Sequence, residues 1–169
     1  MQLNSLNDVF AEQVADLRSA EQQLIEALPK MAEAASESSL REAFTKHLDE
    51  TRTHAERIGE VIQQFGGQVP DEECKAMQGL IEEGQDIIGA DGDPVARDTA
   101  LIAAAQRVEH YEIAAYGTAR TLAQQLELRD AAALLEQTLE EERKADGLLN
   151  RIATGGMLSS GLNEQAASR

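Results

Sequence analysis

The sequence predicts an all-α protein, a bundle of four long helices with a long helical crossover between helices 2 and 3. Three observations lead there. Ala, Leu, Glu and Gln dominate a composition with five aromatic residues, three Phe and two Tyr, and no Trp; this favours helix over sheet. Four stretches carry apolar residues stepping at threes and fours, the period of an amphipathic helix. A shorter apolar-periodic stretch lies between the second and the third. The order is therefore helix pair, crossover, helix pair, which is the connectivity of a ferritin-like bundle. The 169 residues suit one domain with a sizeable core. Residues 1–156 read as that domain, and residues 157–169 as a flexible polar tail.

Ser5 and Asp8 form a Ser-x-x-Asp start signal. Behind it, Leu6, Phe10, Leu17, Glu21, Leu24, Leu28 and Met31 share one face of a helix of ~30 residues, ~45 Å long. Pro29 lies inside it and is expected to kink it or end it early. Ser39 with Glu42 reads as a second capping box. It precedes Leu40, Phe44, His47, Thr51, His54, Ile58, Val61 and Phe65, and Gly66-Gly67 stops the helix. The short turn between these helices predicts antiparallel packing. Pro70-Asp71 opens the crossover helix, which carries Cys74, Met77, Leu80, Ile81, Ile87 and Ile88 and is too apolar to be disordered. Asp93-Pro94 starts the third long helix, with Asp as N-cap and Pro at the first helical position. Its broad face holds Leu101, Ile102, Ala105, Val108, Glu109, Glu112, Tyr116, Ala119, Leu122 and Leu126. A break near residues 127–130 leads into Ala131, Leu135, Leu139, Glu142, Leu149 and Ile152, and Gly155-Gly156 ends the run.

Lys plus Arg number 15 and Asp plus Glu 31, a net charge of −16. That balance argues against nucleic acid and anionic membrane surfaces as partners, and it suits attraction of cations. No apolar run approaches the ~18 residues of a membrane span. The N-terminus MQLNSLNDVF shows no basic and then apolar leader. The single Cys74 leaves no intrachain disulfide framework and fits a reducing compartment. A cytoplasmic protein is the expectation.

Each long helix places an acid on its apolar stripe: Glu21, Glu50, the pair Glu109 and Glu112, and Glu142. An ionised carboxylate moved into a core costs several kcal/mol unless it is paired or bound to metal. Two metal ions neutralise several carboxylates together, so clustered acids and a metal pair explain each other. Glu109 and Glu112 stand at i and i+3, on one face. The step from Glu21 to Glu50 is 29 residues and from Glu112 to Glu142 is 30, a faint internal repeat that sets one acid per helix at similar height. The Glu-x-x-His of ferritin-like metal sites is absent, because Thr53 and Ala145 follow Glu50 and Glu142 by three. His47-x-x-Glu50 stands in the reversed order, with His54 one turn beyond Glu50 and Asp146 at i+4 from Glu142. These spacings do not choose between His47 and His54 as the ligand.

Each residue also has a plainer reading. Taken alone, Glu21 is a surface acid at the edge of its stripe. Glu140-Glu141-Glu142 is an acidic run of the kind usually solvated, and Glu142 fits the stripe best. Tyr116, four residues after Glu112, reads equally as a core tyrosine hydrogen-bonded to any buried acceptor and as a phenol reaching a carboxylate or a metal. Cys74 reads as a small core residue, and His110, about a hundred degrees from Glu109, falls outside the ligand set. For Glu109 and Glu112 together, a site outweighs a solvated face.

The segments Ala20–Leu24, His47–Thr51, Cys74–Glu83, Ala100–Ala114 (ALIAAAQRVEHYEIA) and Leu139–Glu142 with Asp146 resemble the bacterial YciE/YciF family, from about Leu6 to about Ala153. The resemblance implies a rubrerythrin-related helical fold, a homodimer, a di-iron or related metal centre and a link to general stress responses. It carries Glu21, His47, Glu50, Glu109, Glu112 and Glu142 over as ligands. The leading expectation is a non-haem di-iron protein acting on oxygen or peroxide. It would hold two iron ions, or another transition-metal pair such as manganese, and draw on a separate electron donor, since no Cys pair is present. The alternative is a non-catalytic stress or structural dimer with a structural or vestigial metal site. Iron storage is a weaker third.

Overall fold

Helix pair, crossover and helix pair are all present in the computed structural model, which describes residues 3–66, 68–156 and 159–168. The elements are α1 (Leu6–Ala34), α2 (Ser38–Phe65), α3 (Lys75–Ile88), α4 (Pro94–Gln125), α5 (Arg129–Thr154), a short antiparallel pair β1 (Gly155–Gly156) and β2 (Ser159–Ser160), and α6 (Leu162–Ala167). α1 packs on α2 and α4 on α5, while α2–α5 and α1–α4 contacts close the bundle. The crossover helix α3 lies against α1 and α4. Among the described residues, no helix is long and apolar enough to cross a membrane.

Local signals place several ends. Ser5 accepts from the Asp8 N–H and Asp8 from the Ser5 N–H, so the capping box starts α1. Asp93 accepts from the N–H groups of Val95 and Ala96 behind Pro94. Gly66 ends α2 with φ 118°, a left-handed conformation that costs glycine nothing; Gly67 lies outside the described residues.

Four expectations are corrected. Pro29 does not end α1, which continues to Ala34. Its ring is exposed, so the carbonyl it leaves unbonded can face water, and buried Ala27, Leu28 and Met31 hold the last turns. The Ser39–Glu42 capping box does not form: α2 begins at Ser38 with no side-chain cap of its own. Buried Asp98 of α4 instead accepts from the Ser36 N–H (3.0 Å) and the Glu37 N–H (2.6 Å), tying the α1–α2 turn to the second helix pair. α3 starts at Lys75 rather than at Pro70, and Cys74 is its cap, accepting from the Met77 N–H at 3.3 Å. Arg18 holds the preceding segment through the Pro70 carbonyl. Finally, the stretch expected to be a flexible tail carries β2 and α6, because Leu162 is apolar and buries against the bundle; Met157 and Leu158 lie outside the described residues.

The core falls into two apolar clusters. One holds Phe10, Val14 and Leu17 of α1, Ile58 and Val61 of α2, Tyr116 and Ala119 of α4, and Leu135 and Leu139 of α5. The other holds Leu24, Leu28 and Met31 of α1, Leu40 and Phe44 of α2, Leu101 and Val108 of α4, and Leu149 of α5, with Met77 of α3. The early part of α1 thus meets the late part of α2, and the same inversion relates α4 to α5, so both pairs are antiparallel. Every long helix crosses from one cluster to the other, and the polar residues sit where they cross.

Candidate metal centre

At the crossing, α1 contributes Glu21, α2 contributes His47, Thr51 and His54, α4 contributes Glu109 and Glu112, and α5 contributes Thr138 and Glu142. Steps of three, four and seven keep each set on the inner face of its helix. None of the six acids and imidazoles is more than 6% exposed. Their ligand atoms fall into two groups. In the first, His47, Glu109, Glu112 and Glu142 each offer an atom, all within 4.8 Å of one another; in the second, Glu21, His54 and Glu142 do the same. Glu142 belongs to both, as a carboxylate bridging two cations would. His47 Nε2 lies 3.3 Å from Glu109 Oε1 and 3.7 Å from Glu142 Oε2. His54 Nδ1 lies 2.8 Å from Glu142 Oε1 and 3.9 Å from Glu21 Oε1. The two histidines are therefore not alternatives, since each serves a different group.

The polar atoms here are short of partners. Both oxygens of Glu112 and of Glu142, Oε2 of Glu21 and of Glu109, both ring nitrogens of His47 and Nδ1 of His54 are buried and accept or donate no aligned hydrogen bond. A buried polar group left unsatisfied costs roughly 1–3 kcal/mol, and more when charged. Among the described residues, no lysine or arginine pairs with the cluster to offset it: Lys46 pairs with Glu50, and Arg57 with Glu141. Four buried carboxylates with two imidazoles form a donor set suited to transition metals such as iron, manganese or zinc. The residues present therefore fit a metal pair.

The electrostatics carry the same tension. Burial, reinforced by Glu142, pushes Glu21 up to about 7, against the partial relief of His54 and the Tyr116 hydroxyl. Burial likewise holds Glu109 and Glu112 well above the usual carboxylate range, with Glu142 adding repulsion to both. Burial alone would depress His47, but Glu109, with Glu50, Glu142 and Glu21, outweighs it and pushes the ring up to about 10. His54 follows the same balance: burial lowers it, and Glu142, Glu21 and Glu141 raise it further. In the metal-free protein these groups share protons; a bound cation would displace them.

A second row of side chains orients the first. His54 Nε2 meets Glu141 Oε2 at 2.9 Å. Arg57 grips both oxygens of that carboxylate and donates to Thr138 Oγ1 at 3.2 Å. An ionised carboxylate only accepts, so Nε2 carries the proton and Nδ1 faces the cluster, the arrangement found around metal-bound histidines. Tyr116, fully buried, donates its hydroxyl to Glu21 Oε1 on α1.

Two sequence candidates stand apart from the cluster. Glu50 is half-buried and pairs with Lys46, its Oε2 3.7 Å from His47 Nδ1. The His47 ring and the Lys46 ammonium hold it down to about 2 despite its partial burial. Asp146 is also half-buried and takes Gln106 (3.1 Å) and exposed His110 (3.4 Å) as partners. Cys74 forms a separate polar knot with Asp16 and Tyr111. Glu141 and Arg57 escaped the sequence reading as parts of the site. The available signals were Arg57 at i+3 from His54 and Glu141 inside an acidic run.

Residues 5–166 match the family described as Domain of unknown function (DUF892). The chain is 47% identical over 154 residues to Protein YciF of Escherichia coli, covering 90% of this chain and 93% of that one. The crystal structure of the E. coli stress protein YciF superposes with a TM-score of 0.85 at 48% identity, over 88% of this chain and 94% of that one. YcfI of Rhodopseudomonas palustris, suggested to be a structural protein, superposes with a TM-score of 0.86 at 38% identity, over 90% and 97% of the two chains. On this match over nearly its whole length, the chain belongs to the DUF892 family.

Proposed function

We propose that the polar layer holds a pair of transition-metal ions, iron or manganese, and that the protein reacts with oxygen or peroxide in the bacterial stress response. The observation that carries this reading is the set of nine buried ligand atoms without an aligned hydrogen bond, on residues in two groups that share Glu142. His47, Glu109 and Glu112 would hold one ion, Glu21 and His54 the other, and Glu142 both. Bound there, such a pair supplies redox chemistry toward the oxidant. The chain's own residues do the rest: Tyr116 orients Glu21, Glu141 and Arg57 orient His54, and the two apolar clusters exclude bulk water. The stress setting draws on the E. coli relative described as a stress protein. The proposal includes a homodimer and a separate electron donor, the chain having a single Cys. Metal analysis of aerobically purified protein tests the site. About two ions per chain in the parent, lost in a Glu109→Ala, Glu112→Ala double variant, are expected; sub-stoichiometric metal in the parent, or unchanged metal in the variant, sinks it.

A second reading follows from the R. palustris relative suggested to be structural. There the metals only staple four helices together. It predicts that chelation lowers thermal stability while added peroxide is not consumed. Peroxide turnover that disappears with Glu142→Gln excludes it, and light scattering showing a dimer disposes of a hollow iron-storage shell.

A further inference from the structure

Between α2 and α5 a pocket of about 250 Å³ opens beside the cluster, near the lower bound of ~300 Å³ for small-molecule sites. Its floor includes His47 and Glu109, each over nine-tenths buried, with no aligned hydrogen bond at either His47 nitrogen or at Glu109 Oε2. Its walls are apolar, from Phe44, Leu148 and Leu149. Its rim is cationic, from Lys46, Lys144 and Arg151. In a chain with 31 acids against 15 Lys and Arg, three cations beside the one half-buried carboxylate of Glu50 run against the overall charge. Lys46 is occupied by Glu50. Lys144 and Arg151 are exposed and make no ion pair among the described residues. They stand seven residues apart on one face of α5, about 10 Å along its axis, with Leu148 between them.

We propose that this pocket takes a small organic acid. Lys144 and Arg151 hold its carboxylate at the mouth, and Phe44, Leu148 and Leu149 cover its apolar body. The orientation follows from where the unpaired cations stand: Lys144 and Arg151, exposed at the mouth, attract the charged end of an anion there. The far, uncharged end then lies against His47 and Glu109. That this end meets a reactive metal centre rests on the function proposed above, whereas binding in the pocket does not.

Benzoate and its neutral counterpart benzamide are the probes, titrated into metal-free and metal-loaded protein while the His47 ring signals are followed by NMR. Benzoate is expected to shift those signals and to bind about tenfold tighter than benzamide. A Lys144→Glu, Arg151→Glu variant should lose at least that tenfold, and a Lys144→Gln, Arg151→Gln variant part of it. A Lys30→Glu, Lys75→Glu variant, with the same charge change elsewhere, should bind like the parent. Equal affinity for the two probes, unmoved His47 signals, or equal loss in the control variant overturns the assignment. Metal content separates the two proposals, since the rim variants are expected to keep the parent's. A parent that binds benzoate with this rim dependence but takes up no metal confirms the pocket and removes the metal centre.

Discussion

Replacing Glu21 by Gln in the metal-free protein should stabilise it, and only above acidic pH. Glu21 is fully buried and pushed up from 4.5 to about 7. Below pH 4.5 its carboxyl is protonated in both the folded and the unfolded chain and costs nothing. As pH rises through 4.5 toward 7, the unfolded chain releases this proton while the folded one keeps it, so stability is lost with rising pH. At ~1.4 kcal/mol per pH unit, the rise makes the loss about 3 kcal/mol by pH 8. For a chain of this size that is roughly 10 °C in Tm. His47, pushed up to about 10, slopes the same way at higher pH: its stabilisation is complete below 6.5 and disappears as pH rises through 10. Glu50, held at about 2, acts in the opposite direction, losing its contribution only as pH falls from 4.5 through 2. Metal-free protein is therefore most stable near pH 4.5. Gln keeps an acceptor oxygen for Tyr116 and removes the charge. Scanning calorimetry of chelator-treated parent and Glu21→Gln should show equal Tm at pH 4.5 and a gap opening to roughly 10 °C at pH 8. Metal added to the parent should raise Tm more as pH rises, because ions compete with protons for the same oxygens. A variant whose Tm follows the parent across the whole range would refute the burial argument.

Three further substitutions probe the supports of the site. Glu141→Ala should weaken metal binding 10–100-fold by freeing the His54 ring, and Glu141→Gln, which still accepts from Nε2, should recover most of it; competition titration with a metal indicator measures both, and an unchanged affinity in Glu141→Ala would remove Glu141 from the site. Asp98→Ala strands the Ser36 and Glu37 N–H groups and should cost about 3 kcal/mol in urea unfolding, at ~1.5–3 kcal/mol per charge-assisted bond, with metal content unaltered; a loss below 1 kcal/mol would mean water replaces the carboxylate. Tyr116→Phe should lower the stability of metal-free protein at pH 8 by about 2 kcal/mol and that of metal-loaded protein by less, read in parallel melts; equal losses would show that the hydroxyl does not act through Glu21.

The four long helices and the acids on them were readable because helical periodicity is local and the core imposes it. Local caps, at Ser5 and Asp93, were readable for the same reason. The start of α2 was not, because its stabilising group is Asp98, 61 residues beyond Glu37, and nothing near Ser39 records it. Glu50 and Asp146 show the angular limit of helical periodicity. A residue three or four steps from an inward one lies about 60° or 40° to the side of it at 3.6 residues per turn. Whether it points into the cluster or out to the mouth is then set by its neighbours, here Lys46 and Gln106.

The hardest residue to read was Glu141, and its case is general. In one dimension a solvated acidic run and a carboxylate that orients a metal-binding imidazole are the same three letters. What separates them is the cation that meets them. An exposed glutamate has water and needs no partner, but Glu141, half-buried beside His54, is kept ionised by Arg57 on the facing helix, burial being outweighed by that guanidinium and by His54. Arg57 in turn lies at i+3 from His54, so the imidazole and the cation that fixes its outer carboxylate descend from adjacent turns of α2. A histidine on an apolar face followed one turn later by an arginine, opposite an acidic run on the helix expected to pack against it, is therefore a sequence pattern that predicts this support. Around His47 the corresponding arrangement is looser: Lys46 pairs with Glu50, whose Oε2 lies 3.7 Å from Nδ1, and neither ring nitrogen has an aligned hydrogen bond. His47 is thus the more loosely held of the two imidazoles, and it stands at the floor of the open pocket, where an incoming ligand would meet it.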